Sequence, residues 1–247
     1  MGTQRTSSSA RASYGIDAPT VVRNLVLLGV VGLVLVVLGF SIDSIVALPI
    51  VVVAILCSLF GFSIAGALFW SSRSGKYVMC EELVELLCLK GDETVLDLGC
   101  GRGLVLNAAA RRLTTGSAIG LDIWRSMDQS ANSPDATLAN AGIEGVADRV
   151  RVMDGDMRQI PLEEGSVDAI TSSLAIHNIE DYEGLNQAFK EIARVLKPGG
   201  RVALLDFKKT QQYASFLSGR GFSDVRVSGL HFRMFPPVRI VTAKKPF

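Results

Sequence analysis

Net charge is the first thing this sequence lacks. Its 25 Lys and Arg are balanced by 24 Asp and Glu, and no Lys/Arg-rich run occurs. No field of one sign steers the chain toward nucleic acid, and no nucleic-acid partner is expected. Cysteine is sparse too. Cys57, Cys80, Cys88 and Cys100 form no CxxC pair and no metal-ligand spacing. That pattern reads as free thiols in a reducing compartment, without a metal site. There is no internal repeat, and no long insertion that would cap a substrate pocket.

Apolar residues are in excess. They make up 49% of the chain, and the mean hydropathy is +0.35, too apolar for an ordinary soluble domain. The excess sits in two uncharged runs, Leu25 to Ile42 and Ile45 to Trp70. Crossing a hydrocarbon core takes about 20 apolar residues, so the first run just suffices and the second has residues to spare. Only Asp43 and Ser44 separate them, which predicts a tight hairpin. A cleaved signal peptide fits less well, because a second run follows the first at once.

Arg5, Arg11 and Arg23 precede the hairpin, Arg73 and Lys76 follow it, and the turn has no Lys or Arg. The positive-inside rule then puts both ends, and the domain that follows, on the cytoplasmic side of a membrane crossed twice. Trp70 suits an interfacial anchor. The expected organisation is a disordered tail over 1–20, the hairpin over 21–70, a polar linker over 71–77 and a domain over 78–247.

Within that domain strand-like and helix-like segments alternate, the pattern of a doubly wound α/β sheet. Strands are expected at 94–98, 118–121, 150–153, 167–172 and 201–207. Helices are expected at 78–89, 104–113, 135–141, 182–196 and 211–218. Lys197-Pro198-Gly199-Gly200 is a strong helix stop. Segments 222–227 and 238–243 follow one another without a helix between them, so they should pair antiparallel at the sheet edge.

The most informative motif is Val95-Leu96-Asp97-Leu98-Gly99-Cys100-Gly101-Arg102-Gly103. A buried strand runs into a glycine turn and then a helix, so backbone can approach a ligand closely. The spacing departs from a dinucleotide fingerprint, which needs glycine where Leu104 stands. Asp97 at the strand end suits a cationic ligand and would repel a pyrophosphate.

This motif resembles the class I S-adenosylmethionine-dependent methyltransferase family (the methyltransferase type 11-like domain), and the resemblance extends over about 78–247. It implies a Rossmann-like methyltransferase fold: a mostly parallel seven-stranded sheet, preceded here by the two transmembrane helices. It also implies S-adenosyl-L-methionine as cofactor, with Asp97, Gly99 and Gly101 around its methionine part. Gly120-Leu121-Asp122 ends the next strand, where an acid accepts from both ribose hydroxyls; a plain helix N-cap is the alternative for Asp122. Gly155-Asp156-Met157 follows the third strand. The family places an acid there at the adenine amino group and the next backbone against the ring, which fits Asp156 and Met157, with Asp154 as a competitor. Ser166 to Ile170 and the loop beyond resemble the strand facing the transferring methyl group, bringing in Ser173, His177 and Asn178.

Ile123 to Pro134 is longer and more polar than in many relatives. Trp124 is placed to pack beside adenine, and Asp128 and Gln129 to line the pocket, unless the stretch is a surface loop. Methyl transfer requires positioning and, for some acceptors, a base. His177 is the candidate catalytic residue; binding substrate and capping a helix are its other readings. His231 is expected to be structural. Cys80 and Cys88, eight residues apart, are a poor thiol pattern for arsenic methylation. The expected function is methyl transfer to a small-molecule or lipid-like acceptor at a membrane. A non-catalytic cofactor-binding scaffold and a nucleotide-dependent oxidoreductase of related fold are the competing classes.

Overall fold

The computed structural model of the chain describes residues 11–42, 47–125 and 131–247. Two helices come first, α1 (Pro19–Gly39) and α2 (Ala47–Trp70). Proline at the start of α1 costs nothing, since the first turn has no partner for its missing N–H. The helices meet through small residues. Gly29, Gly32 and Gly39 of α1 are buried, as are Ala54, Ser58 and Gly61 of α2, and the Ser58 hydroxyl donates to the Gly29 carbonyl at 3.1 Å. Close approach through such residues is typical of helices packed in lipid. Their outer faces are apolar and uncovered, and Val37 and Leu48 are each 67% exposed. By length and composition both helices suffice to cross a membrane. The expected turn at Asp43 and Ser44 lies outside the described residues.

The sheet has seven strands in the order β3-β2-β1-β4-β5-β7-β6. They are β1 (Thr94–Leu98), β2 (Ser117–Asp122), β3 (Val150–Asp154), β4 (Val167–Ser173), β5 (Leu196–Asp206), β6 (Ser223–Val227) and β7 (Arg239–Lys244). The first five are parallel, and β7 runs antiparallel between β5 and β6. α3 (Lys76–Glu85), α4 (Leu104–Ala110) and α5 (Pro134–Ile143) precede β1, β2 and β3, while α6 (Tyr182–Val195) and α7 (Thr210–Ser218) precede β5 and β6. One core is built around Met79, Leu83 and Leu106. A second, on the other side of the sheet, is built around Phe189, Ile192 and Tyr213. This is the doubly wound, mostly parallel arrangement expected. β5 begins five residues earlier than the glycine pair suggested, because Leu196 already pairs with Val167.

Two parts of the expected organisation are corrected. Residues 71–77 are no loop: α2 continues through a widened turn at Ser71–Gly75 into α3. The serines that read as linker are buried and bonded to backbone. Ser71 Oγ accepts from the Phe235 N–H at 3.0 Å and Ser72 Oγ from the Asp17 N–H at 3.1 Å. Residues 11–18, taken with the tail, lie on the domain. Tyr14 is buried and its hydroxyl donates to Glu144. The Lys76 ammonium donates to the Tyr14 and Gly15 carbonyls and pairs with Asp17 at 3.1 Å. A buried ammonium is tolerable only when satisfied in this way.

Candidate active site

Parallel strands bring their C-terminal ends to one edge, and ligands of such sheets bind in the crevice beyond it. That edge here carries Asp97 from β1, Asp122 from β2, Asp156 just past β3, Ser173 from β4 and Asp206 from β5. They surround a cavity of about 820 Å³, except for Asp206, which stands behind it.

Asp97 is 1% exposed and accepts from the Thr171 hydroxyl at 2.8 Å. Burial raises its pKa to about 7, Thr171 opposes the shift, and the nearby Asp122 charge adds to it. Its ionised form therefore calls for a cation. Gly99 has φ +71, and a Cβ there would collide with Ala175; glycine alone lets β1 turn this close to the loop after β4. The Gly101 N–H donates to Asp122 Oδ2 at 2.8 Å, and the Trp124 N–H to Asp122 Oδ1 at 2.6 Å. Oδ1 also accepts from the Asn132 side-chain amide at 3.4 Å, while Oδ2 keeps a lone pair free, so Asp122 ties the glycine turn to β2 and still has an acceptor to offer.

Asp156 and Met157 line the cavity, whereas Asp154 does not. Asp154 instead accepts from the Trp124 indole. That bond turns Trp124 away, and its neighbours Ile123 and Arg125 form the cavity wall in its place. The expectation that Trp124 packs at the site is thus corrected. Asp156 is held below the usual carboxylate range by the Arg158 guanidinium, which reaches it at 2.5 Å. Asp128 and Gln129 lie outside the described residues.

β4 ends at Ser173 and leads into a single helical turn, Ile176–Asn178. His177 and Asn178 line the cavity from it. His177 Nδ1 is 2.9 Å from Asp206 Oδ1, although the ring lies out of line for a hydrogen bond. The imidazole also meets Phe207 edge-on, with ring centres 4.6 Å apart. Asp206 is buried and accepts from the Tyr213 hydroxyl at 3.1 Å. His231 sits away from the cavity and bonds Ser228 at 3.0 Å. Burial pushes the Cys80 thiol up, whereas Cys88 is exposed, so the two form no thiol pair.

Sequence reasoning missed Asp206, Phe207, Ile123 and the wall of the cavity built by α1 and α2. Only Asp206 had a signal, as an acid ending a strand beside the one that carries His177.

Residues 96–204 match the methyltransferase domain family. The chain carries a methyltransferase domain of the S-adenosylmethionine-dependent class. Among its relatives is the chloroplast 2-phytyl-1,4-beta-naphthoquinone methyltransferase of Arabidopsis thaliana. The two are 35% identical over 132 residues, covering 53% of this chain and 48% of that one. The demethylmenaquinone methyltransferase of Lactobacillus johnsonii is 30% identical over 153 residues, covering 61% and 54%. The chain thus spans about half the length of these curated relatives. The crystal structure of a SAM-dependent methyltransferase from Aquifex aeolicus superimposes with a TM-score of 0.53 at 22% identity, covering 67% of this chain and 88% of that one. At that identity the likeness concerns the fold, and the methyltransferase domain here shares it.

The site fits the cofactor of this class on its own geometry. A buried carboxylate with no cation paired to it among the described residues, a glycine turn that a Cβ would block, and a second acid with a free lone pair suit a cationic amino-acid head joined to a ribose.

Proposed function

We propose that the protein is a membrane-anchored methyltransferase that moves a methyl group from S-adenosyl-L-methionine to a small-molecule or lipid-like acceptor. The observation that carries this reading is the single cavity lined by Asp97, Asp122, Asp156 and His177. Asp97 faces the positive head, with Gly99 and Gly101 close around it. Asp122 accepts from the ribose hydroxyls. Asp156 and the Met157 backbone receive adenine, with Ile123 beside it, and Ser173 borders the cofactor from β4.

When bound, S-adenosyl-L-methionine supplies a methyl group whose carbon–sulfur bond breaks, its electron pair staying on sulfur, as the acceptor–carbon bond forms. His177 takes the proton that the acceptor gives up. Asp206 draws the Nδ1 edge of the ring and leaves Nε2, which has no protein partner among the described residues, as the atom that accepts it. Two relatives are named for a 2-phytyl-naphthoquinone and for demethylmenaquinone, which supports a ring-bearing acceptor soluble in membranes.

The uncovered apolar faces of α1 and α2 support an integral hairpin, since so much exposed apolar surface is costly in water. Arg23 and Arg73 at its base support a domain on the cytoplasmic face. An oxidoreductase reading fits less well, because a buried carboxylate at Asp97 repels a pyrophosphate.

The test is calorimetric titration of the detergent-solubilised full chain with S-adenosyl-L-methionine and with NAD. This is followed by incubation of membranes with methyl-labelled cofactor and separation of lipid, protein and soluble fractions. Binding of NAD alone would overturn the assignment, and label confined to protein or RNA would overturn the acceptor class.

A further inference from the structure

The cavity does not stop at the domain. Val21 and Leu25 of α1 and Ile64 and Leu68 of α2 form its far wall, in one continuous space with Asp97, Asp122 and His177. Arg23 and Trp70 mark the level where the hairpin meets the domain. Ile64 lies six residues inside Trp70, which at ~1.5 Å per residue is about 9 Å further up the helix. The wall therefore rises beyond the polar boundary to the depth of acyl chains. No charged side chain belongs to that part of it. A polar acceptor arriving from water would gain nothing from such a wall.

The loop between β6 and β7 completes the opening. It is pinned to the base of the hairpin, where Gly75 backs so tightly onto the Arg233 carbonyl that no Cβ would fit, and the Phe235 N–H donates to Ser71. Phe235 and Pro236 turn into the cavity. Phe232, 72% exposed, points outward beside them. Phe235 and Pro236 thus continue the apolar wall of the helices into the cavity.

We infer that the far wall is a subsite for the apolar tail of a membrane-resident acceptor. The tail enters sideways from the bilayer between the ends of α1 and α2, while the head that receives the methyl group lies by His177. This inference rests on the methyltransferase reading above for the identity of the head, but the tail subsite can be tested without it. The hairpin then builds one side of the acceptor site as well as anchoring the domain. The volume agrees: about 820 Å³ lies in the upper part of the ~300–1,000 Å³ range of small-molecule sites, so a cofactor and a tailed acceptor can share it.

The test uses the full chain in phosphatidylcholine nanodiscs with a long-chain alkylphenol carrying a mid-chain diazirine. After irradiation, labelled positions are read by peptide mass spectrometry. Label is expected on Leu104, Met234 and Phe235, which face the cavity, as well as on the outer faces of α1 and α2. Ile64→Trp and Leu68→Trp fill the opening and should bring the interior label down to background. Label restricted to the outer faces in the wild type would overturn the inference. So would interior label that persists in both variants while they retain wild-type cofactor affinity. If a variant fails to fold, the wild-type labelling pattern still decides. Failure of the wild type to bind S-adenosyl-L-methionine would remove the methyltransferase reading and leave the labelling result standing.

Discussion

His177 and Asp206 meet at 2.9 Å between the turn after β4 and the end of β5. Asp206 is fixed in turn by Tyr213 at 3.1 Å. No hydrogen bond joins the two, so the buried carboxylate acts on the imidazole through its charge and its fixed place behind the ring. Asp206→Asn keeps the shape and removes the charge, so turnover is expected to fall by about 10²-fold, the scale of a mispositioned catalytic group. The Michaelis constant and cofactor affinity should change little. Steady-state kinetics and calorimetry on one preparation separate the two effects. His177→Ala should lower turnover by ~10²–10⁴ if the ring takes the proton, and should mainly raise the Michaelis constant if it only holds the acceptor.

Asp97 makes cofactor binding depend on pH. Without a ligand its pKa is about 7, so below that value the cofactor must displace a proton before its cation can pair. Affinity is therefore expected to rise with pH through about 7 and then level off, and Asp97→Asn should bind weakly with a flatter profile. The sign for stability is opposite. The unfolded carboxyl titrates near ~3.9, so the contribution of Asp97 to the ligand-free domain is present below that pH and lost as pH rises through about 7. Calorimetry and thermal melts across the same buffers check both.

Asp122 serves the glycine turn and the ribose together. Asp122→Ala should weaken cofactor binding by about 1.5–3 kcal/mol, the scale of hydrogen bonds to a charged group. Equal affinity of wild type and variant would remove the ribose assignment.

The N-terminal segment is held by Lys76. Replacing it with Met removes the donor to the Tyr14 and Gly15 carbonyls and the partner of Asp17. Faster hydrogen exchange is expected at residues 13–17, with the β1 amides unchanged. Unchanged exchange at 13–17 would show that Tyr14 and its bonds to Asn107 and Glu144 suffice to hold the segment.

The hairpin predicts that the protein stays in membranes after a carbonate wash. The C-terminal domain should resist protease added outside sealed cells and become sensitive once the membrane is permeabilised. Cleavage from outside would reverse the orientation.

The sequence determined whatever depends on neighbours in the chain. A strand running into a glycine turn is a local pattern, so Asp97, Gly99, Gly101 and Asp122 were legible, as were two uncharged runs and the helix Tyr182–Val195. The tertiary structure decided what depends on distant partners. Ser71 to Gly75 read as a linker because serine and glycine favour loops, yet Phe235, 164 residues from Ser71, satisfies the hydroxyl there and lets the helix continue. Lys76 reads as a surface charge until Tyr14, 62 residues away, wraps it. Trp124 promised a ring for adenine, and its bond to Asp154 withdrew it. Asp206 came to stand behind His177 because β4 and β5 pair in parallel and end together. Local patterns carry no information on such contacts, since burial and hydrogen bonding across the fold can outweigh a residue's own preference.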